Sequence, residues 1–120
     1  MSMNSNYYVI AGYDLTGFET NKFKDWRWTN EGEEFFCYQS KGSVQLFDDP
    51  MNGHHLYLGY IVVDGDEYDF PTTTFDIVEA EAHMLKVNEK LRYLKEIGVI
   101  DEDLDECAIV YEFIAFAEYT

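Results

Sequence analysis

Apolar and aromatic residues alternate with turn-forming residues along most of the chain, a pattern typical of short β-strands. Residues 7–13 are apolar on both alternations, which predicts a buried first strand. Further strands are predicted over residues 33–39, 44–47, 56–63 and 67–70. Asp64-Gly65-Asp66 carries a strong hairpin signal and is predicted to form the turn between the last two of these strands. Such short connections favour antiparallel pairing.

A different spacing predicts one long helix after these strands. Between residues 76 and 97, apolar side chains recur at intervals of three and four and form one stripe. The members of this stripe are Ile77, Ala80, Met84, Val87, Leu91 and Leu94. Asp76 or one of the threonines at residues 72–74 is a candidate for the residue that caps the start of the helix, and Gly98 is a candidate for the left-handed residue that ends it.

The last part of the chain predicts another strand. Residues 107–119 are apolar on both alternations apart from Glu112 and Glu118, so this strand is expected at the centre of the sheet. Together these elements predict an α+β fold in a single domain over residues 1–120. Its expected form is a twisted, mostly antiparallel sheet of about five to six strands, with one long helix at about residues 76–97 packed on one face.

The charge of the chain narrows the choice of partner. There are 24 Asp and Glu residues against 8 Lys and Arg residues, which gives a formal net charge of -16. Phosphates would be repelled by such a surface, so direct binding of nucleic acid is not expected. Anionic membranes are disfavoured for the same reason. We therefore expect a basic partner, such as a nucleic-acid-binding protein.

The charge is also segregated along the chain. Neither residues 42–85 nor residues 96–120 contain a Lys or an Arg. A surface that serves only solubility usually mixes both signs. The segregation therefore favours an anionic surface that imitates the phosphate backbone and occupies sites built from Lys and Arg, although a purely solubilising surface stays open as the alternative.

The predicted binding face combines two acidic segments and their neighbouring aromatic residues. Its carboxylates are Asp64, Asp66, Glu67 and Asp69, joined by Asp101, Asp103 and Asp105 if the fold brings the two segments together. Its candidate aromatic anchors are Tyr57, Tyr60, Tyr68 and Phe70. Exposed aromatic side chains supply the affinity that charge alone lacks.

Motifs for catalysis or metal binding are weak in this sequence. Asp101, Asp103 and Asp105, with Glu112 at the twelfth position, match part of a calcium-binding EF-hand loop. However, Glu106 stands where that loop needs Gly, and a strand is predicted where a helix should follow, so a charged loop is the favoured interpretation. The spacing of the His and Cys residues fits neither a zinc site nor a nucleophile pair. We expect a binding protein with no catalytic residue, metal or cofactor.

The expected location is the cytoplasm of a bacterial host cell. No apolar run approaches the roughly 20 residues that a membrane-spanning helix requires, and the first residues are polar. Cys37 and Cys107 both fall in predicted strands, where two reduced core thiols are expected.

A compact, very acidic α+β chain without a catalytic motif resembles the anti-CRISPR proteins, the inhibitors of Cas9 that phages and mobile elements encode. The segments YYVIAGYD (residues 7–14) and VQLFDDPM (residues 44–51) are similar to small proteins of mobile elements in Gram-positive bacteria. The resemblance implies that the acidic segments compete for the Arg-rich site that reads the PAM, or for the basic nucleic-acid channel. Two alternatives stay open: an immunity-type inhibitor of a toxin nuclease, and an acidic structural or adaptor protein of a phage.

Overall fold

Four strands form one antiparallel sheet in the computed structural model, which describes residues 5–37, 42–49, 55–66 and 81–119. The strands are β1 (Ser5–Asp14), β2 (Val44–Asp49), β3 (His55–Asp66) and β4 (Glu112–Tyr119). Their order across the sheet is β2-β3-β1-β4, and each neighbouring pair is antiparallel. The α+β class is confirmed, but the predicted five to six strands are not found within the described residues. The strand predicted over residues 67–70 lies outside them.

Helices pack against one face of this sheet. They are α1 (Phe23–Trp26), α2 (Asn30–Cys37) and α3 (Met84–Glu96), and a short 3₁₀ helix follows at Glu106–Ala108. The apolar stripe is confirmed for the part of α3 that buries Val87, Leu91 and Leu94 in the core. No helix in the described ranges is long and apolar enough to cross a membrane.

The prediction of one long helix over residues 76–97 is confirmed only in part, and Asp76, Ile77 and Ala80 lie outside the described residues. Helical residues 81 and 82 are separated from α3 by a turn at His83, and Met84 is exposed instead of buried. His83 is the N-cap residue of α3, and its ring stacks on Tyr60 of β3, with ring centroids 4.1 Å apart. The helix does end as predicted, since Gly98 adopts a φ of 81°.

α2 occupies part of the segment that was predicted to be a strand over residues 33–39. The side chain of Thr29 caps the helix, because its Oγ1 accepts a hydrogen bond from the Gly32 amide at 3.1 Å. The Thr29 carbonyl also accepts a bond from the Glu33 amide at 2.8 Å. Glu31 adds negative charge to the first turn, where the helix dipole favours it. The two aromatic residues later in this segment are compatible with either a strand or a helix, and the cap favours the helix.

Asp64-Gly65-Asp66 does not form the predicted turn. Residues Asp64–Asp66 continue β3 and pair with residues Asn6–Tyr8 of β1. β1 itself begins at Ser5, two residues earlier than its apolar pattern indicated. The longer β1 offers a ladder of backbone hydrogen bonds, and this non-local pairing outweighs the local turn preference of an Asp-Gly pair.

The predicted central strand over residues 107–119 is shorter and lies at the edge of the described sheet. β4 begins at Glu112, and Cys107 lies in the 3₁₀ helix with an exposed side chain, so it is not a core thiol. The Oδ1 atom of Asp105 caps that 3₁₀ helix by accepting a hydrogen bond from the Cys107 amide at 2.9 Å. Cys37 belongs to α2 and not to a strand.

The sheet separates two apolar cores. The larger core lies between the sheet and the helices, and the smaller one consists of Tyr8, Ile10, Phe47 and Ile61 on the opposite face. Phe116 of β4 packs against this smaller core and lies 5.0 Å from Phe47 of β2, measured between ring centroids. A flat sheet would hold these two strands roughly 14 Å apart, because neighbouring strands are about 4.8 Å apart. The two side chains therefore lean toward each other across β3 and β1, and curvature of the sheet favours this contact.

Two glycines permit this curvature. Gly12 and Gly59 are register partners in β1 and β3. A Cβ atom on Gly12 would lie 2.0 Å from the Leu58 carbonyl oxygen and 2.5 Å from the Gly59 Cα atom. The register of the same two strands shifts between Val9 and Ile10, which is a bulge that adds to the bend.

We predict that Gly12→Ala lowers the free energy of unfolding by about 3 kcal/mol, because the added methyl group meets backbone atoms that no rotamer change can move away. Urea denaturation monitored by circular dichroism measures the loss. Gly17→Ala is the matched control, since Gly17 has a φ of 87° and open space around it. This control should lose only about 1 to 2 kcal/mol from backbone strain. An equal loss in both variants would contradict a required close approach at Gly12.

Candidate functional site

The predicted binding face is divided between the two ends of the sheet. Residues Asp64–Asp66 pair with residues Asn6–Tyr8 at the beginning of β1. Asp101 lies beyond the other end of β1, where its amide donates a hydrogen bond to the Phe18 carbonyl at 2.8 Å. β1 has 10 residues, a span of roughly 30 Å when extended, so the fold does not bring the two segments together. Glu67 and Asp69 lie outside the described residues.

The second segment forms an exposed acidic loop directly after α3. We define the acidic loop by its four exposed carboxylates, Asp101, Glu102, Asp103 and Asp105. Three of them were predicted as site residues, while Glu102 was missed because the prediction followed alternate positions. Glu102 stands between two acidic residues, so the run of acidic residues in the sequence was the signal from which it could have been predicted.

The acidic loop is fixed to the protein by its one buried residue. The side chain of Leu104 is 5% exposed and belongs to the larger core. The Leu104 carbonyl accepts a hydrogen bond from Lys95 Nζ at 2.6 Å, and its amide donates to the Asp101 carbonyl at 3.1 Å. Asp101 Oδ1 accepts a further bond from the Asp103 amide at 2.9 Å. The loop is therefore held in one shape while its carboxylates remain in solvent.

Cations do not neutralise the acidic loop. Within the described ranges, no Lys or Arg lies at ion-pair distance from its four carboxylates. Lys95 is occupied by the Leu104 carbonyl. Lys22 lies beside Gly98 and lines, with the first residues of the acidic loop, an open groove of about 340 Å³. The loop is therefore an anionic surface with two cations at its border, Lys22 and Lys95, neither of which forms an ion pair with its carboxylates.

Other cations of the helical layer make contacts elsewhere. Lys90 Nζ lies 5.2 Å from the ring centroid of Phe35. Arg27 forms an ion pair with Asp48 of β2. The lysines of α3 thus form no ion pair with the carboxylates of the acidic loop. Such ion pairs would have cancelled the negative charge of the loop.

A second group of exposed carboxylates lies on α2. Its members are Glu31, Glu33 and Glu34. The hydroxyl of Tyr93 on α3 donates a hydrogen bond to Glu31, and the Tyr93 ring stacks on Phe35 at a centroid distance of 6.1 Å. The sequence analysis did not select these residues, because it took its carboxylates from residues 42–85 and 96–120, which contain no Lys or Arg.

The predicted aromatic anchors are not exposed where the structure describes them. Tyr60 is buried in the larger core, and Tyr57 packs half-buried against the smaller core. Tyr68 and Phe70 lie outside the described residues. The side chain of Trp28, in contrast, is 71% exposed. The sequence analysis did not select Trp28, because its exposure has no signal in the sequence.

The described acidic residues do not form a metal centre. No group of three or more His, Cys, Asp or Glu side chains in the described ranges is arranged to hold a metal ion. In the segment that resembles part of an EF-hand, Asp101 Oδ1 and Asp105 Oδ1 accept hydrogen bonds from backbone amides of the loop. These carboxylates therefore shape the loop, and their remaining oxygen atoms face solvent.

The segment that leads from the acidic loop to β4 contains a perturbed tyrosine. Burial raises the pKa of Tyr111 to about 12, with further contributions from Tyr13 and Glu81. The rings of Tyr111 and Tyr13 meet edge to face, with centroids 5.4 Å apart. A phenolate at this position would lose hydration and would face other negative groups.

We predict that Tyr111 makes the protein less stable as the pH rises from about 10 to about 12. The folded protein keeps the Tyr111 proton in this range while the unfolded chain, with its ordinary tyrosine pKa, loses it. The contribution of this residue to the free energy of unfolding is therefore present below pH 10 and is lost above it.

Urea denaturation of the wild type and of Tyr111→Phe across this pH range tests the prediction, with phenolate absorbance as a second measurement. The variant should lose less stability above pH 10 than the wild type, because it cannot ionise. Parallel alkaline decline of both proteins would show that Tyr111 does not contribute.

Comparison of the chain with protein-family models, curated proteins and solved structures finds no match. The fold is defined only as an α+β arrangement with an open, four-stranded antiparallel sheet in the described residues. The case for a function therefore depends on the surface of this molecule, above all on the acidic loop.

Proposed function

We propose that this protein is an acidic nucleic-acid mimic that inhibits a nuclease by occupying its basic nucleic-acid-binding site. The observation that carries the proposal is the acidic loop, with its four exposed carboxylates on a fixed backbone and no ion-pair partner among the described residues. In this proposal the protein acts as a binding protein and not as an enzyme, and its place of action is the cytoplasm of a bacterial host cell.

The fixed shape of the acidic loop supports this function. A site that grips nucleic acid presents Lys and Arg side chains in the spacing of phosphates, and carboxylates form charge-assisted hydrogen bonds with the same groups. Because Leu104 anchors the loop in the core, little conformational freedom is left to lose when a partner binds. The net charge of -16 accelerates the encounter with a basic surface by electrostatic steering.

The resemblance to anti-CRISPR proteins suggests the partner. In a Cas9-type nuclease, arginines read the PAM and a positively charged channel holds the guide–target duplex. The acidic loop would compete with DNA for one of these surfaces. A toxin nuclease would offer similar chemistry to an immunity-type inhibitor, so the two partners are separated by experiment and not by the shape of the loop.

The direct test is a cleavage assay with guide-loaded Cas9 and increasing amounts of the purified protein. We expect inhibition that weakens as the salt concentration rises, because the attraction between charged surfaces is screened. Unimpaired cleavage at high molar excess, across several Cas9 orthologues, contradicts the Cas9 partner. A pull-down from host lysate at low and high salt then distinguishes a toxin nuclease from the absence of any nuclease partner, as expected of a phage structural or adaptor protein.

A charge reversal within the acidic loop tests the site itself. We predict that Glu102→Lys combined with Asp103→Lys weakens binding to the nuclease at least about tenfold, equivalent to about 1.4 kcal/mol. Neither side chain accepts a hydrogen bond from the described residues, so the loop should keep its shape. The dissociation constant at two salt concentrations is the measurement, and circular dichroism checks the fold.

Glu89→Lys combined with Glu112→Lys is the matched control for this pair. Both residues are exposed, and the substitution changes the net charge by the same amount at positions outside the acidic loop. The control should retain most of the affinity. If both double variants lose affinity equally, net charge governs binding and the acidic loop has no special role.

A further inference from the structure

An exposed tryptophan stands out on the helical side of the protein. Trp28 lies two residues after the end of α1 and leaves 71% of its surface in solvent, whereas Trp26, the last residue of α1, is buried in the larger core. Tryptophan is the side chain with the largest apolar surface, so its exposure forgoes a substantial gain in stability. Tryptophan is also among the residues most enriched where protein interfaces hold most of their binding energy.

Contacts with a neighbouring side chain restrict the position of the Trp28 indole, although most of the ring is exposed. The Arg27 guanidinium carbon lies 5.1 Å from the Trp28 ring centroid and 4.9 Å from that of Phe36. The same guanidinium forms an ion pair with Asp48 of β2. A series of contacts therefore connects the indole to the sheet, so that the ring is already positioned for a partner.

The chain on either side of Trp28 is mainly acidic, which favours a positively charged partner. Asp25, Glu31 and Glu33 lie within five positions of it and have exposed side chains. Lys24 is the exposed cation of this stretch, so negative charge prevails there. Arg27 does not reverse this balance, because Asp48 neutralises it. An arginine can stack on an indole face and bond to neighbouring carboxylates at the same time.

Trp28 also lies close enough to the acidic loop to share one partner with it. Lys22 borders the groove next to the acidic loop, and α1 begins at the following residue. Lys22 and Arg27, which flank the four residues of α1, also have helical backbone angles. The chain therefore advances by about 9 Å between Lys22 and Trp28. A protein interface of ordinary size covers about 800 Å² on each partner and can include both features.

We propose that Trp28 is the aromatic anchor of the binding surface and that it receives an arginine of an arginine-rich segment in the basic protein partner. The partner's guanidinium stacks on the indole face that Arg27 leaves open, and the exposed carboxylates beside Trp28 complete the contact. This inference rests on the proposed function in taking the partner to be basic, and it assigns the contact that supplies affinity beyond long-range attraction.

Fluorine NMR of the protein labelled with 5-fluorotryptophan tests the inference. The chain contains 2 Trp residues, so two resonances are expected, and Trp28→Phe identifies the exposed one. Two probes are titrated at low and at high salt: a nona-arginine peptide and guide-loaded Cas9. We expect both probes to shift or broaden the Trp28 resonance, while the buried Trp26 reports little change.

Affinity measurements with Trp28→Ala complete the test. We expect this variant to bind both probes at least tenfold more weakly. Leu85→Ala is the matched control, because Leu85 is 69% exposed on α3 and its removal deletes a similarly exposed apolar side chain. The control should bind like the wild type. The labelled wild type provides a result that does not depend on the folding of any variant.

The outcomes separate this inference from the proposed function. Binding of Cas9 with an unchanged Trp28 resonance and full affinity in Trp28→Ala overturns the anchor and leaves the proposed function standing. A response to nona-arginine without binding of Cas9 supports the anchor and contradicts the Cas9 partner. If neither probe changes the Trp28 resonance, the proposal that Trp28 is the anchor is overturned.

Discussion

The close approach of β1 and β3 at Gly12 and Gly59 is the constraint on which the rest of the structure depends. At this point the two strands are so near that neither residue has room for a side chain without displacing a neighbour. The bend lets β4 and β2 meet through Phe116 and Phe47, which encloses the smaller core.

The fold also explains how this highly negative chain can hold several carboxylates close together although they repel one another. Self-repulsion costs stability, and the acidic loop offsets it with the buried Leu104 and with hydrogen bonds to its own backbone. Lys95 contributes by bonding to the Leu104 carbonyl and not to a carboxylate. The cation therefore stabilises the shape of the loop while leaving the acidic side chains in solvent.

Local sequence pattern predicted the elements whose signals are long and periodic, and failed where the decisive contact is distant or brief. The apolar stripe predicted the buried face of α3. The run of residues 7–13, which is apolar on both alternations, predicted β1. The cap at Thr29 is one residue long, so the aromatic residues after it were assigned to a strand. Asp64–Asp66 was assigned to a turn because its pairing with the start of β1 is non-local. The acidic loop was found from its charge, while the exposure of Trp28 depends on packing that no local pattern records.

Charge and aromatic surface make separable contributions to recognition in this protein. Attraction between the acidic surface and a basic site acts over about a Debye length and is screened by salt, so it governs the rate of encounter. Contact with the Trp28 indole acts only at close range and excludes water, so it governs the lifetime of the complex. Added salt also relieves the self-repulsion of the free protein. Salt should therefore stabilise the fold under conditions that weaken the complex, and this opposite response distinguishes a surface built for recognition from one whose charge is already balanced by its own cations.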